Sequence, residues 1–118
     1  MRFEWGPTGA AALGARDGCP VVIDVLSFTN GVTVATGRGI AVLPCRLSDP
    51  GAEALAVANE AELAVRRRDM SREHPRSLSP AALTSAPFTP RLVLPSPNGS
   101  AIAAIAGGVV IAACLRNC

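Results

Sequence analysis

The sequence has no lysine, so all 11 of its basic residues are arginines. Nine acidic residues nearly balance them, and the formal net charge of +2 is too small to indicate a nucleic-acid partner. Aromatic residues make up 3% of the chain, and the arginine run at 66–68 lacks the interleaved aromatic side chains on which bases stack. We therefore expect no nucleic-acid binding, and a core built mostly from Ala, Val, Leu and Ile.

Motifs for metals and membranes are also scarce. His74 is the only histidine and the four cysteines form no Cys-x-x-Cys pair, so a zinc site is not expected. The most apolar segment, 101–115, is shorter than the ~20 residues of a spanning helix and contains Gly107 and Gly108. The N-terminus lacks the apolar run of a signal peptide. We expect a cytoplasmic protein with reduced thiols and without a membrane partner.

Short apolar runs alternate with helix signals along the chain. The run at 21–26 is rich in Val and Ile, which is typical of a parallel strand buried on both faces. Further strands are predicted at 2–6, 40–45, 63–65, 91–94 and 109–115. Helices are predicted at 10–15, 29–36, 50–59, 80–83 and 100–106, with turns at 6–9, 16–18 and 95–100.

This order predicts an α/β fold, layered as α/β/α around a mostly parallel sheet. The length of 118 residues suits a single domain. Asp49 and Pro50 are expected to be the N-cap and the first residue of the helix at 50–59. The last predicted strand ends three residues before the chain does, where a connection to another element is expected. We therefore expect the sheet to be incomplete.

Polar residues follow several of the predicted strands. They are Asp24, Ser27, Thr29 and Asn30 around the first strand, Arg46 and 66–68 after the second and third, Ser96, Asn98 and Ser100 after the fourth, and Arg116 and Asn117 after the fifth. In a parallel sheet these groups meet at one edge, where open α/β sheets bind ligands. Carboxylate oxygens suit Mg²⁺ and arginine forks suit phosphate or sulfonate. The set indicates a small phosphorylated anionic substrate together with Mg²⁺.

Each of these residues also has a structural explanation. Asp24 could cap the following helix or pair with an arginine, and Ser27, Thr29 and Asn30 could be capping residues. The segment 96–100 could be a turn that starts a helix, although amides at a helix N-terminus would still attract an anion. The arginines at 66–68 could form a solvated edge. The sequence has no Gly-x-Gly-x-x-Gly, Walker or Gly-x-Ser-x-Gly motif to indicate another chemistry.

Four segments in order resemble successive signatures of the 2-phosphosulfolactate phosphatase family. They are VIDVLSFT at 22–29, LSP at 78–80, LPSPNGS at 94–100 and LRN at 115–117. The resemblance covers nearly the whole chain but only about the first half of the family's usual length. We therefore expect the chain to be the N-terminal half of a longer phosphatase domain.

The resemblance implies a Mg²⁺-dependent phosphatase that hydrolyses 2-phosphosulfolactate to sulfolactate and phosphate, a step of coenzyme M biosynthesis. By this resemblance, Asp24 would be the metal-site and catalytic residue, and Asn98 a second catalytic residue. The substrate-binding residues would be Ser27, Thr29, Asn30, Gly99, Ser100 and Asn117. A homo-oligomer is a further expectation.

Two positions differ from the family's common pattern. Ser27 stands where an arginine usually follows Asp-Val-Leu. The segment 65–68 stands where a Gly-Glu-Arg segment is common, so the acidic residue of that segment is missing. A second hypothesis is therefore a divergent or truncated module that binds a phosphorylated or sulfonated anion without catalysis. A third is a truncated product that does not fold stably.

Overall fold

Helices and strands alternate along the chain in the computed structural model, which describes residues 1–14 and 18–117. The helices are α1 (Gly6–Gly14), α2 (Phe28–Gly37), α3 (Ala52–Ala58), α4 (Pro80–Ser85) and α5 (Gly99–Ala106). The strands are β1 (Val21–Ile23), β2 (Ala41–Arg46), β3 (Glu62–Leu63), β4 (Arg91–Ser96) and β5 (Ile111–Ala113). A 3₁₀ turn spans Arg67–Asp69. In this described part, no helix is both long and apolar enough to cross a membrane.

The strands form two small sheets, and every strand pair within the described residues is parallel. The larger sheet has the order β2-β4-β3, and β2 pairs with β4 from Ala41↔Arg91 to Arg46↔Ser96. The smaller sheet consists of β1 and β5, paired from Val21↔Ile111 to Ile23↔Ala113. The predicted α/β class is therefore confirmed, with its parallel strands divided between two sheets.

The core is built on both faces of β4. Leu92 and Leu94 pack with residues of α2 and α4, whereas Val93 packs with Cys45 of β2 and Ala56 of α3. Successive side chains of a strand point to opposite faces, so this division puts helices on the two sides of the sheet. The three residues at 92–94 are all 0% exposed, because the strand lies between its two neighbours as well as between helices.

The prediction that the run at 21–26 is buried on both faces is wrong. Strand β1 ends at Ile23, and only its middle residue is buried, whereas Val21 and Ile23 are 54% and 63% exposed. A β-branched run makes a strand favourable, but full burial needs a helix on each face. A cavity of about 320 Å³, lined by residues of both sheets and of α2 and α5, lies where β1–β5 approaches β2.

Three local predictions also fail. Residues 2–6 do not form a strand, and α1 begins at Gly6 rather than at residue 10, since Pro7 is compatible with a first helical turn. Asp49 does not cap α3, which begins at Ala52. Its Oδ1 instead accepts a hydrogen bond from the Gly51 N–H at 2.8 Å, as in an Asx turn. Residues 15–17, which include most of the predicted turn at 16–18, lie outside the described part of the chain.

Candidate functional site

Asp24 joins the carboxyl end of β1 to the start of α5. Its Oδ2 accepts a hydrogen bond from the Gly99 N–H at 2.9 Å. A carboxylate is favourable at this end of a helix, where unpaired amides give a partial positive charge. Only glycine fits at position 99, because a Cβ there would lie 2.2 Å from Phe28 Cδ1 and 2.7 Å from Asp24 Oδ2. The segments that follow β1 and β4 are therefore held in direct contact.

The side chains of Thr29 and Asn30 form hydrogen bonds with the backbone of the segment that leads from β1 into α2. The Thr29 hydroxyl donates to the Asp24 carbonyl at 2.9 Å and accepts from the Asp24 N–H at 3.3 Å. The Asn30 side-chain amide donates to the Val25 carbonyl at 2.6 Å. These bonds shape the turn from β1 into α2 and orient Asp24. The predicted contact of both side chains with a substrate stays a prediction.

Gly99 and Ser100 start α5 with their amides already bonded. The Gly99 N–H is bound by Asp24, and the Ser100 N–H donates to Ser96 Oγ at 2.8 Å. The buried Ser100 hydroxyl donates to the Leu94 carbonyl, also at 2.8 Å. Asn98 is exposed at the helix start, and its carbonyl accepts from Ile102. Neither amide is thus available to an incoming phosphate in this arrangement.

Asn117 closes the turn that follows β5. Its Oδ1 accepts from the Cys114 N–H at 2.8 Å, and its side-chain amide donates to the Ala112 carbonyl at 2.9 Å. The Thr33 hydroxyl lies 3.5 Å from Cys114 Sγ and lowers the pKa of that thiol. The backbone N–H groups of Arg116 and Asn117 act in the same direction, against the opposing effect of burial. The two hydrogen bonds of the Asn117 side chain stabilise the carboxyl end of β5.

A cleft of about 730 Å³ lies at the carboxyl ends of β2, β3 and β4. Apolar side chains make up much of its lining, namely Leu47, Leu63, Val65, Leu78, Pro95 and Pro97. Ser27 and Ser79 add hydroxyl groups, and the Ser27 hydroxyl donates to the Leu78 carbonyl at 3.4 Å. Of the site residues that the family resemblance implies, all of which the structure describes, only Ser27 lines this cleft. Arg66 and Arg67, which the sequence placed among the polar residues at the strand ends, line it as well.

The cleft carries charges of both signs. Asp49 and Glu53 follow β2, and Arg66 and Arg67 follow β3. β4 lies between β2 and β3, and β3 ends level with Leu43 rather than with Arg46, because Leu63 and Leu43 both pair with Val93. Within residues 1–14 and 18–117, no ion pair involves any of these four side chains. Asp69, which also lines the cleft, pairs with Arg68 at 3.8 Å.

Sequence reasoning missed Asp49 and Glu53 as cleft residues. Asp49 had a sufficient explanation as a helix cap, and Glu53 lies in the first turn of the same helix. Their position after β2, at the carboxyl edge of a parallel strand, was the signal that could have identified them. The negative charge of Asp49 also affects the strand end. Burial raises the pKa of the Cys45 thiol, and Asp49 raises it further.

Mg²⁺ was predicted from the sequence, and Asp24 is the carboxylate that would hold it. Mg²⁺ usually binds one or two carboxylates together with substrate phosphate oxygens. One carboxylate oxygen of Asp24 is bonded to Gly99, which leaves the second as the donor for a metal. Across the described chain, no group of three or more His, Cys, Asp or Glu side chains could hold a metal ion. Asp24 with phosphate oxygens is nevertheless a donor set that Mg²⁺ accepts.

Comparison with known proteins gives no match for this chain. No model of a protein family matches it. No curated protein matches it, and no solved structure does so either. The resemblance to the 2-phosphosulfolactate phosphatases therefore rests on the four sequence segments at 22–29, 78–80, 94–100 and 115–117.

Proposed function

We propose that the chain is a Mg²⁺-dependent phosphatase of small phosphorylated anions, with 2-phosphosulfolactate as the substrate that the resemblance implies. The observation that carries the proposal is the 2.9 Å hydrogen bond between the Asp24 carboxylate and the Gly99 N–H. It joins two segments of the resemblance at the carboxyl ends of β1 and β4. An α/β edge of this kind is where such folds bind ligands.

The arginines of the cleft are the groups that would bind the anion. Arg66 and Arg67 present guanidinium forks, which match the oxygens of a phosphate or sulfonate. The Gly99 and Ser100 amides are bonded within the protein, so the cleft is a better anion site than the start of α5. Mg²⁺ would be held by Asp24, which lies outside the cleft lining but only three residues before Ser27, and it would supply positive charge to a phosphoryl group bound there. Hydrolysis breaks the P–O ester bond, transfers a water oxygen to phosphorus and protonates the leaving oxygen.

The proposal includes a cytoplasmic location, which the sequence composition predicts. It also includes a place in coenzyme M biosynthesis, which the family resemblance implies. Cys19, Cys45 and Cys114 are free thiols, and a reducing compartment would keep them in that state. Self-association of the chain stays a prediction, which sedimentation of the purified protein would test.

The decisive assay measures phosphate release from 2-phosphosulfolactate with Mg²⁺ and with a chelator. We expect release that needs Mg²⁺ and that falls on the order of a hundredfold in Asp24→Asn, as when a charge-stabilising group is removed from an active site. The asparagine oxygen can still accept from Gly99, so the variant should fold. Glu73→Gln removes an exposed carboxylate outside the cleft and is the matched control. A folded wild-type chain without release, or full release by Asp24→Asn, would contradict the proposal.

A non-catalytic anion-binding module is the second candidate. Two observations favour it. Arg66 and Arg67 of the cleft stand in the segment where the family commonly has a glutamate. The Asp24 carboxylate is hydrogen-bonded to the Gly99 N–H, which is a structural contact. This candidate predicts that inorganic phosphate raises the melting temperature with or without Mg²⁺, by stabilising the folded state that binds it. Thermal stabilisation together with no phosphate release would select this candidate over the phosphatase.

A further inference from the structure

We propose that the cleft binds a dipolar ligand, a small phosphomonoester that carries a primary amine. Its phosphate would bind Arg66 and Arg67 on the β3 side, and its ammonium group would bind Asp49 and Glu53 on the β2 side. The inference rests on the proposed function for the phosphate group. It departs from the family's substrate in the rest of the ligand, which would carry a positive charge instead of further negative ones.

The dimensions of the cleft suit such a ligand. A volume of about 730 Å³ lies within the usual range of small-molecule sites. The two pairs of charged residues follow strands that are separated by one intervening strand, roughly 9–10 Å from axis to axis, and all four residues line the same cleft. The long side chains of Arg66 and Glu53 shorten the gap between charged groups. A linker of two or three carbon atoms would then lie against the apolar lining at Leu47, Leu63 and Pro95.

The charges are available to a ligand because the protein does not pair them with each other. In the described part of the chain, the ion pairs involve other residues, and Asp69 is partnered by Arg68 rather than by Arg66 or Arg67. Asp49 Oδ1 accepts a hydrogen bond from the Gly51 N–H at 2.8 Å. This bond orients the side chain and leaves the second carboxylate oxygen for a cation. A cleft with opposite charges held apart is complementary to a molecule with the same separation of charge.

A ligand with negative groups at both ends, such as 2-phosphosulfolactate, would still bind through Arg66 and Arg67 but more weakly than a phosphomonoester that carries an amine. Such a ligand could place one anion at Arg66 and Arg67, but its other anion would face Asp49 and Glu53. Like charges brought together in a binding site reduce affinity and thereby give specificity. The cleft should therefore prefer an amine-bearing phosphomonoester to an equally small phosphomonoester without the amine.

Calorimetric titration of the full chain with three probes tests this inference. The probes are O-phosphoethanolamine, ethyl phosphate, which lacks the amine, and ethanolamine, which lacks the phosphate. We expect O-phosphoethanolamine to bind roughly tenfold more tightly than ethyl phosphate, as two partly exposed ion pairs allow. The double variant Asp49→Asn, Glu53→Gln should abolish this preference while ethyl phosphate binds as before.

Matched variants separate the two halves of the site. The double variant Arg66→Gln, Arg67→Gln should weaken both phosphate probes, whereas Arg72→Gln and Glu73→Gln, which lie outside the cleft, should change neither. Equal affinity for the two phosphate probes, with Asp49 and Glu53 unimportant, would overturn the dipolar ligand but leave the anion site of the proposed function. No binding of either phosphate probe, or no effect of Arg66 and Arg67, would overturn both.

Discussion

Gly99 is the position where the side chains of Asp24 and Phe28 come closest to the backbone of α5. In Gly99→Ala the new Cβ would lie 2.2 Å from a ring carbon of the buried Phe28 and 2.7 Å from Asp24 Oδ2, so these side chains would have to shift. We expect the substitution to lower the free energy of unfolding by about 2–3 kcal/mol, the usual cost of overpacking a core. Urea denaturation would measure it.

Gly37→Ala is the matched control, since nothing lies within 4 Å of a Cβ at the last residue of α2. Its free energy of unfolding should stay constant or rise by up to about 1 kcal/mol, because alanine favours the helix. If the two alanine variants were equally stable, the close contact between α5 and Phe28 would be disproved.

Cys45 should make stability fall at alkaline pH. Burial raises the pKa of its thiol, and the Asp49 carboxylate raises it further, so the folded chain keeps the proton to a higher pH than the unfolded chain. Above the unfolded-state pKa of about 8.5, the folded state then binds more protons, and stability decreases by up to about 1.4 kcal/mol per pH unit. The contribution is fully present below that pH.

The measurement compares wild type with Cys45→Ala by urea denaturation between pH 7 and pH 11. The difference between the two free energies of unfolding should be constant up to about pH 8 and should then decrease. Loss of packing in the variant shifts this difference by the same amount at every pH, so it does not affect the slope. A difference that stays constant to pH 11 would show that the Cys45 thiol titrates alike in both states.

Arg76 ties β3 to the segment that leads into β4. Its guanidinium group binds the Glu62 carboxylate and donates to the Pro87 carbonyl at 2.7 Å, and its side chain is only 5% exposed. We expect Arg76→Ala to cost about 3 kcal/mol, because buried polar groups lose their partner. Glu62→Gln should cost less, since that side chain is 52% exposed and water can replace the contact.

Arg91→Ala is the control for Arg76, because Arg91 is half exposed, pairs with Glu60 at 3.7 Å and donates to the Asn59 carbonyl at 2.8 Å on the surface. An exposed pair contributes at most about 1 kcal/mol, so this variant should unfold at nearly the wild-type urea concentration. If Arg76→Ala and Arg91→Ala lowered the free energy of unfolding by the same amount, the contacts of Arg76 would not stabilise β3. The sequence hides this role, since Arg76 lies in a polar stretch around Pro75 that has the composition of a loop.

Local patterns predicted most elements but not how the strands are shared between sheets. The apolar run at 91–94 and the turn at 98–99 indicated β4 and the start of α5, and both formed. The run at 21–26 has a similar composition, yet β1 is exposed on one face, because burial depends on which strands and helices meet it. The contact between Asp24 and Gly99 could be predicted, because both residues follow parallel strands whose ends were expected to meet at one edge. The charged residues of the cleft could not be grouped from the sequence, because the strand order β2-β4-β3 was not known.

The two sheets should differ in stability within the whole molecule. The larger sheet has a central strand buried on both faces and a run of six paired positions between β2 and β4. The smaller sheet has three paired positions, exposes Val21 and Ile23, and adjoins a cavity of about 320 Å³. Local opening requires less free energy where fewer buried apolar contacts are lost. The pair β1–β5 should therefore open without unfolding of β4.

Hydrogen exchange would detect this difference. We expect amides at 92–94 to exchange only through global unfolding, and those at 21–23 and 111–113 to exchange at least about tenfold faster. Two truncations give an independent comparison. Leu92→Ala should cost about 3 kcal/mol as a cavity in the core, whereas Ile23→Ala should cost less than about 1 kcal/mol because the side chain is already exposed. Equal protection of the two sheets, with equal losses in the two variants, would instead mean that the chain unfolds as one cooperative unit.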